Sequence, residues 1–387
     1  MLILALGFVP ADALAVKIKD TIVRIAILKS ADTFVLKTRG TFKITDLKTH
    51  QVIQEGRVFP ATKIKAEEDA IVIGKESFPA RKIRFASSKD IIVKVDKKNR
   101  KYRGDIDIVI NSAEKLIVIN RIGLEDYIRG ILYHEVSAKW PMEAMKAQAV
   151  AARTYALYRM KENKDQAYDV TSDIYSQVYG GKSSEKYRTN LAVKRTKNII
   201  MTYQGDILPA YFHAHCGGHT ENAANVWKHE SILPLSGKIC DFCYRAPHYY
   251  WEKNLRLKDI QDKLNEKGYA LGLIKDISVV ERNKSGRIVN LKITERNGRE
   301  TIIKGKDFRN MIGPNIIKSN LYSITMKGYY CDFIGRGWGH GVGMCQWGAR
   351  QMALSRFKYD DILRYYYPGV SLVEYDDVKD QWDVKGE

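Results

Sequence analysis

Three cysteines and one histidine are arranged in two pairs that suit a bound metal ion. Cys216 and His219 are separated by two residues, and Cys240 and Cys243 repeat this spacing after a gap of twenty residues. Three thiolates with one imidazole favour zinc, and four protein ligands leave no position open for a catalytic water. We therefore expect a structural Zn²⁺ held by these four side chains.

Other ligand sets are compatible with the same segment. His213 and His215 lie close enough in the sequence to replace His219 as the fourth ligand. The thiols could also be unligated, with one of them acting as a catalytic or redox cysteine. Cys331 and Cys345 stand outside the pattern, and the sequence leaves them either free or joined in a disulfide.

A second chemical feature is a segment in which glycine occupies every second position from 335 to 343. If this segment is an extended strand, the glycines leave one face bare, and such glycines mark a close approach by a ligand or another backbone. The opposite face then carries Arg336, Trp338, His340 and Met344. The pattern predicts a binding surface, and the alternative is a loop that only turns a corner.

A single glutamate, Glu135, stands between two predicted helices with apolar residues on both sides. An apolar environment disfavours the charged form of a carboxyl group and raises its pKa. Glu135 would then be a proton donor near neutral pH. The alternative, from the residues alone, is a helix cap or an ion-pair partner.

The hydrophobic pattern indicates the elements that must position these groups. One helix is predicted to open at Leu124, and a second to begin near Pro141, because proline is tolerated in a helix's first turn. The second helix is rich in alanine and is expected to be the buried centre of the fold. Short runs of branched residues before 118, and a hairpin within 273–330, predict strands. The predicted class is α+β, with mixed sheets, the central alanine-rich helix and a long substrate cleft, preceded by a β-rich region.

The charge of the chain limits its partners. The formal net charge is +19 over 387 residues, with a pI near 9.5. Such a surplus favours a polyanion: nucleic acid, an anionic membrane, or a bacterial wall rich in carboxylates and phosphates. The lysines and arginines are spread along the whole length, and no nucleic-acid-binding motif is evident, so nucleic acid is the least favoured partner.

Four ordered blocks between about residues 120 and 350 resemble the stage II sporulation protein D/LytB family. They are 124–136 with 140–156, then 176–181, then 212–221, and finally the glycine-alternating stretch that ends at Gln346-Trp347-Gly348-Ala349. The resemblance implies a peptidoglycan lytic transglycosylase that acts on glycan strands stripped of their stem peptides. It also implies that Glu135 is the catalytic acid, with Val136-Ser137 standing where the family has Met-Pro.

The implied reaction needs one carboxyl group. Glu135 would protonate the oxygen between N-acetylmuramic acid and N-acetylglucosamine, and would then accept the proton of the muramoyl 6-hydroxyl as it attacks the anomeric carbon. The product is a 1,6-anhydro sugar, whereas a hydrolase would need a second carboxyl group at a defined separation.

The substrate-binding candidates fall into three groups. Cations would meet the muramoyl lactyl carboxylate, aromatic rings would stack on sugars, and the others lie in the matched blocks. They are Lys146, Arg153, Tyr155, Ser176, Gln177, Tyr179, Arg336, Trp338, His340 and Gln346. Lys146 and Arg153 could instead lie on a solvated helix face, and Tyr179 and Trp338 could instead belong to the core.

We expect four segments along the chain. Residues 1–15 read as a signal peptide that is too short to span a bilayer, or alternatively as a buried first strand. Residues 16–118 form the basic β-rich region, 119–372 the catalytic domain with its zinc clamp, and 373–387 a tail. The protein is thus expected to be exported to the bacterial wall or periplasm, without a transmembrane helix.

Three other functions compete with the transglycosylase. The first is a non-catalytic wall-binding protein that enhances an N-acetylmuramoyl-L-alanine amidase, as the LytB part of the family name suggests. The second is a zinc amidase or peptidase, which would require three ligands and an open position. The third is a basic nucleic-acid binder.

Overall fold

The computed structural model describes residues 21–95, 98–172, 177–227, 231–247 and 249–382. The predicted signal segment, 1–15, and Ser176 lie outside these ranges. Within them the fold is α+β, as predicted from the sequence. No helix in these ranges is long and apolar enough to cross a membrane.

Two sheets make up the first part of the described chain. One has the strand order β13-β1-β12-β11-β8-β3-β4 and the other the order β10-β9-β2-β5-β6-β7. The strands are β1 (Ile22–Ala31), β2 (Thr33–Thr38), β3 (Phe42–Asp46), β4 (Val52–Gly56), β5 (Phe59–Glu67), β6 (Ala70–Ile73), β7 (Glu76–Phe78), β8 (Lys82–Ser87), β9 (Ile91–Val95), β10 (Lys98–Tyr102), β11 (Asp105–Ile110), β12 (Leu116–Gly123) and β13 (Val170–Thr171).

Alternation of branched and basic residues explains these strands. In β2, for example, Phe34 and Leu36 are buried, whereas Val35 and Lys37 point to the other side of the sheet. The buried residues of both sheets form one hydrophobic cluster, which the two longest helices complete. The basic strands therefore share a core with the helices that carry the candidate site.

Those helices are α1 (Leu124–Glu135) and α2 (Met142–Glu162). Pro141 precedes the first turn of α2 with φ −55° and ψ 144°, so the predicted start near proline is confirmed. Alanines fill the middle of α2 and are fully buried, because small side chains let neighbouring elements approach closely. This helix is the predicted buried centre.

The later part of the chain surrounds α2 and adds a separate hydrophobic cluster between residues 251 and 333. Its elements are α3 (Tyr187–Arg195), β14 (Ile199–Tyr203), β15 (Asp206–Ile207), β16 (Phe212–His213), β17 (Tyr250–Arg256), α4 (Leu257–Asn265), β18 (Ile274–Arg282), β19 (Ile288–Glu295), β20 (Glu300–Lys304), α5 (Gly305–Ile312), β21 (Tyr322–Lys327), β22 (Tyr330–Arg336), β23 (Met344–Cys345), α6 (Gln346–Leu354), α7 (Tyr359–Tyr366), β24 (Ser371–Glu374) and α8 (Tyr375–Val378).

The glycine-alternating segment is a loop, and its predicted extended conformation is wrong. Strand β22 ends at Arg336, and the next alternate glycines have φ values between 71° and 108°. A Cβ at Gly337 would lie 2.8 Å from the carbonyl oxygen of His215, and one at Gly341 would lie 2.5 Å from Nη2 of Arg287. The bare face therefore packs on the protein's own chain, and the glycines permit a tight left-handed path.

Folded structure continues across two of the predicted segment boundaries. Strand β12 runs through the predicted boundary after residue 118. Strand β24 pairs with β14, and Tyr375 and Trp382 join the core formed by α1 and α2. Residues 373–382, predicted to belong to a tail, are thus part of the folded body.

Candidate active site and cysteine cluster

Glu135 is the last residue of α1. The helix ends there because Val136 turns to an extended conformation, with φ −140° and ψ 146°, while its N–H still bonds to the carbonyl of Leu132. The Glu135 side chain is partly exposed. The carboxyl group therefore lies where a substrate can reach it.

This environment changes the acidity of Glu135. Burial raises the pKa of its carboxyl group to about 7, while hydrogen bonds from Gln346 and from the Val178 backbone oppose the rise. A position at the negative end of a helix dipole also disfavours a carboxylate. Glu135 is accordingly able to donate and accept a proton near neutral pH.

Gln346 comes to Glu135 from the far end of the chain. Its Nε2 lies 3.4 Å from Oε2 of Glu135 and 3.4 Å from Oε1 of Gln148 on α2. Gln148 is buried, and its Nε2 has no hydrogen-bond partner in the described structure. The side-chain amides of Gln346 and Gln148 thus lie next to the carboxyl group, and the Nε2 of Gln148 remains available as a hydrogen-bond donor.

Gln177 positions the segment that supplies the second hydrogen bond. It is buried, its Oε1 accepts from the hydroxyl of Tyr127 at 2.9 Å, and its Nε2 donates to the carbonyl of Ala152 at 3.4 Å. The next residue, Val178, directs its backbone N–H at Glu135. Gln177 is therefore a positioning residue, and the predicted contact with substrate is not its role here.

A cavity of about 230 Å³ lies near Glu135, which does not itself line the cavity, although its chain neighbour His134 and its hydrogen-bond donor Val178 do. It is lined by Lys98, Asn99, Arg100, His134, Val178, Tyr179, Gly180, Ser183 and Ser184. Nε2 of His134 is 2.6 Å from Oγ of Ser184. Burial and the neighbouring charge of Arg100 lower the pKa of His134.

Of this lining, Tyr179 alone was a candidate predicted from the sequence. The adjacency of His134 to Glu135 is a signal that was present in the sequence. The sequence contains no such signal for Lys98 and Arg100, because these residues reach the cavity only through the pairing of β10 with its sheet.

Arg153 was predicted to meet a substrate carboxylate, and that prediction is wrong. Its guanidinium is fully buried and binds Glu125 through two hydrogen bonds of 2.7 and 2.9 Å, with a third to the carbonyl of Ile199. A buried, bidentate ion pair leaves no donor fork for a ligand. Arg153 ties α2 to α1 and β14.

Three other predicted contacts are also corrected. Tyr179 is fully buried and donates to Oδ1 of Asn120 at 2.7 Å, so its ring is not a sugar platform. Burial lowers the pKa of His340 to about 3, so His340 is neutral and supplies no counter-charge. Lys146 is mostly buried and pairs with Glu143 at 2.7 Å on its own helix.

The remaining candidates are divided between the surface and a cluster of rings. Arg336 and Trp338 are exposed, and the ammonium of Lys318 lies 4.7 Å from the ring centre of Trp338. Tyr155 packs against Tyr211, with ring centres 5.7 Å apart. Tyr155 is half-buried, whereas Arg336 and Trp338 are more exposed to solvent.

The cysteine cluster differs from the predicted ligand set by one residue. The Sγ atoms of Cys216, Cys240, Cys243 and Cys345 all lie within 4.8 Å of one another, and all four residues are buried. His219 instead places Nδ1 2.5 Å from the carbonyl oxygen of Thr220. Cys345 replaces it because β23 pairs in parallel with β16, placing Cys345 opposite His213 and close to Cys216.

The geometry of this cluster fits a tetrahedral metal ion. A Cys₄ zinc site with bonds of about 2.3 Å places its sulfurs about 3.8 Å apart, which is within the 4.8 Å that bounds the sulfur separations here. No disulfide joins the five cysteines, and two sulfurs, of Cys216 and Cys243, lie 3.2 Å apart. Hydrogen bonds from neighbouring thiols lower the pKa of Cys243, whereas hydrogen bonds from neighbouring thiols raise the pKa of Cys216 and burial raises that of Cys345, so a metal ion bound by all four would displace protons.

Comparison with known proteins identifies the family. A family model described as stage II sporulation protein matches residues 112–203. Stage II sporulation protein D of Bacillus subtilis (strain 168) is 32% identical over 276 residues, covering 67% of this chain and 76% of that protein. The chain belongs to the stage II sporulation protein D family. The family model covers α1, which ends at Glu135, and α2. The resemblance noted in the sequence is confirmed.

Other relatives extend the comparison. An uncharacterized protein of Brachyspira hyodysenteriae is 37% identical over 271 residues, covering 70% of this chain and 72% of that protein. The amidase enhancer of Bacillus subtilis (strain 168) is 28% identical over 291 residues, which is 64% of this chain but only 40% of the enhancer. A second family model, for a domain of unknown function, matches residues 240–343.

Proposed function

We propose that this member of the stage II sporulation protein D family is an exported lytic transglycosylase of the bacterial cell wall. Its substrate would be peptidoglycan strands without stem peptides, cleaved between N-acetylmuramic acid and N-acetylglucosamine. The observation that carries the proposal is the state of Glu135: a partly exposed carboxyl group with a pKa of about 7.

A pKa near the working pH lets one group serve both halves of the reaction. Protonated Glu135 gives its proton to the glycosidic oxygen as the bond to the anomeric carbon breaks. The resulting carboxylate takes the proton of the muramoyl 6-hydroxyl, whose oxygen bonds to that carbon and forms the 1,6-anhydro ring. The proton is returned to Glu135, and no water enters the product.

The neighbours of Glu135 support this exchange. Hydrogen bonds from Gln346 and the Val178 backbone favour the carboxylate, while burial favours the acid. Opposing influences of this kind keep both protonation states within reach. The amide of Gln148, which contacts Gln346, holds that donor in place.

A non-catalytic wall-binding role is the second candidate, because the amidase enhancer of Bacillus subtilis is among the relatives. In that role the chain would bind glycan and assist a separate N-acetylmuramoyl-L-alanine amidase. The acidity of Glu135 would then have no use, which is why we favour the enzyme.

We also propose that Cys216, Cys240, Cys243 and Cys345 hold one structural Zn²⁺. Four thiolate ligands would fill its tetrahedral coordination, so the ion would stabilise the fold and take no part in bond cleavage. It would join the segment around 216, the loop at 240–243 and the start of α6. That placement secures the helix on which Gln346 stands.

Replacement of Glu135 by glutamine tests the enzyme directly. Glu135→Gln keeps the size of the side chain and removes its titratable proton, so we expect at least about a hundredfold loss of anhydro-muramoyl products. Glu162→Gln, at the exposed end of α2, is the matched control and should retain activity.

Mass spectrometry of digested, peptide-free glycan measures both rate and product. Reducing ends in place of anhydro ends would indicate hydrolysis. Turnover by Glu135→Gln at the wild-type rate would place the acid elsewhere, and an inactive wild type that still binds glycan would favour the amidase-enhancer role.

A further inference from the structure

The outward face of the six-stranded sheet carries a row of cationic and polar side chains. Lys63 on β5 pairs with Val35 on β2, Val35 pairs with Lys94 on β9, and Lys94 pairs with Asn99 on β10. Neighbouring strands are about 4.8 Å apart, so this row crosses about 14 Å of the sheet.

A second row runs parallel to the first. Lys37 on β2 pairs with Ile92 on β9, which pairs with Lys101 on β10. Lys65 on β5 is neutralised by Glu67. By contrast, the lysines of the two rows make no ion pair within the described ranges, so their charges face solvent.

Part of each row lines a groove. A cavity of about 360 Å³ is lined by Val35, Lys37, Ala61, Ile92, Lys94 and Asn99. Asn99 also lines the cavity near Glu135, and β10 is the edge strand of the sheet. The two cavities therefore share Asn99 on this strand, whose neighbouring side chains, Lys98 and Arg100, line the cavity near Glu135.

Strand β10 is fixed to the site by the turn at Gly181–Ser184. The N–H of Lys101 donates to Oγ of Ser183 at 2.9 Å, and Oγ of Ser184 contacts His134 beside Glu135. The groove is thus held in a defined position relative to the carboxyl group. A long ligand that occupies one can continue into the other.

We propose that this lysine groove, lined by Lys37, Lys94 and Asn99 with Lys63 and Lys101 on the same two rows, binds the glycan strand beyond the cleavage site. A strand without stem peptides carries a free lactyl carboxylate on each muramoyl sugar, which the lysines complement. Val35, Ile92 and Ala61 offer apolar contact to sugar rings, and Asn99 offers an amide to acetamido groups. The groove lies outside the residues matched by either family model.

The identity of the strand rests on the proposed function, so the test measures binding without turnover. The parent is the full-length Glu135→Gln variant, and the probe is peptide-free glycan of defined length. Adding Lys37→Glu with Lys94→Glu should weaken its Kd about tenfold, since two exposed contacts change from attractive to repulsive. The control pair Lys43→Glu with Lys75→Glu makes the same charge change at exposed positions away from the groove and should change Kd less than about twofold.

Two further probes define the ligand. Neutral chitin oligomers of matched length, and glycan whose carboxylates are converted to amides, should bind the parent weakly and should not respond to the lysine changes. The Tm of each variant is measured to verify that the variant is folded.

Several results would overturn the proposal. The first two are no binding of glycan by the parent, and equal losses of affinity in the test and control pairs. The third is equal binding of amidated and unmodified strands. The fourth is an effect of the lysine changes on binding of poly(glycerol phosphate), used as a phosphate-bearing probe, with no effect on binding of glycan. Release of anhydro products by the wild type, measured separately, tests the proposed function independently of this groove.

Discussion

The side-chain amide of Gln346 lies 3.4 Å from the carboxylate of Glu135, although 211 positions separate them in the chain. One residue ends α1 and the other begins α6. The contact joins the segment that carries the acid to the segment that follows the glycine loop. It makes the acidity of Glu135 depend on the packing of both.

The pH dependence of turnover should report this acidity. Glu135 must be protonated to begin the reaction, and its pKa is about 7. We expect kcat/KM to fall as pH rises above that value, approaching a tenfold loss per pH unit. A rate measured from pH 5 to 9 that stays level through pH 8 would contradict the assignment.

The stability of Glu135→Gln should depend on pH. The pKa of Glu135 is raised from 4.5 to about 7 in the folded protein. Between these values the folded state binds more protons than the unfolded chain, so the wild type loses stability as pH rises through this window. Glutamine carries no such penalty, and the variant should exceed the wild type by about 1–3 kcal/mol at pH 8 and by little at pH 4. Urea unfolding at both pH values measures the difference, and equal stabilities at pH 8 would show that Glu135 is well solvated.

Loss of the Gln346 amide should shift the pH profile. Gln346→Ala removes a donor that favours the carboxylate, so the pKa of Glu135 should rise and the alkaline limb should move up by about half a pH unit. Gln351→Ala, on the same helix, is the control. An unchanged limb in Gln346→Ala would mean that the contact does not influence the acid.

The cysteine cluster predicts which residues retain zinc. Cys345→Ser should lower bound zinc and the Tm, because it removes one ligand of the proposed Cys₄ site. His219→Ala should keep the metal, and Cys331→Ser controls for the loss of a buried thiol outside the cluster. Metal analysis of the purified variants decides between Cys345 and His219, and zinc loss in His219→Ala alone would restore the ligand set predicted from the sequence.

Substitutions at two glycines distinguish the free-energy cost of backbone strain from the cost of a steric clash. Gly205 and Gly341 have φ values of 86° and 89°, but a Cβ at Gly205 would meet nothing within 4 Å, whereas one at Gly341 would strike Arg287. We expect Gly205→Ala to cost about 1 kcal/mol and Gly341→Ala at least twice that. Equal costs by urea unfolding would show that the loop can move away from Arg287.

The local parts of the fold could be predicted because short-range physics determines them. Branched residues alternating with lysines predicted the first strands, and Pro141 before an alanine-rich run predicted α2. The apolar residues around Glu135 also predicted its raised pKa. The strands and the start of α2 depend on neighbours within a few positions, whereas the pKa of Glu135 also depends on burial and on Gln346 from a distant segment.

Packing between distant segments decided the rest. The sequence could not show that Arg153 forms an ion pair with Glu125, that His340 is neutral, or that the pairing of β16 with β23 brings Cys345 to Cys216 in place of His219. Nor could it place the lysines of β2 and β9 next to the cavity near Glu135. The sequence by itself determined the family, the class of fold and the candidate acid. Only the tertiary structure decided which charges are neutralised, which thiols meet and which glycines face protein, because those outcomes depend on strand register and burial between residues far apart in the chain.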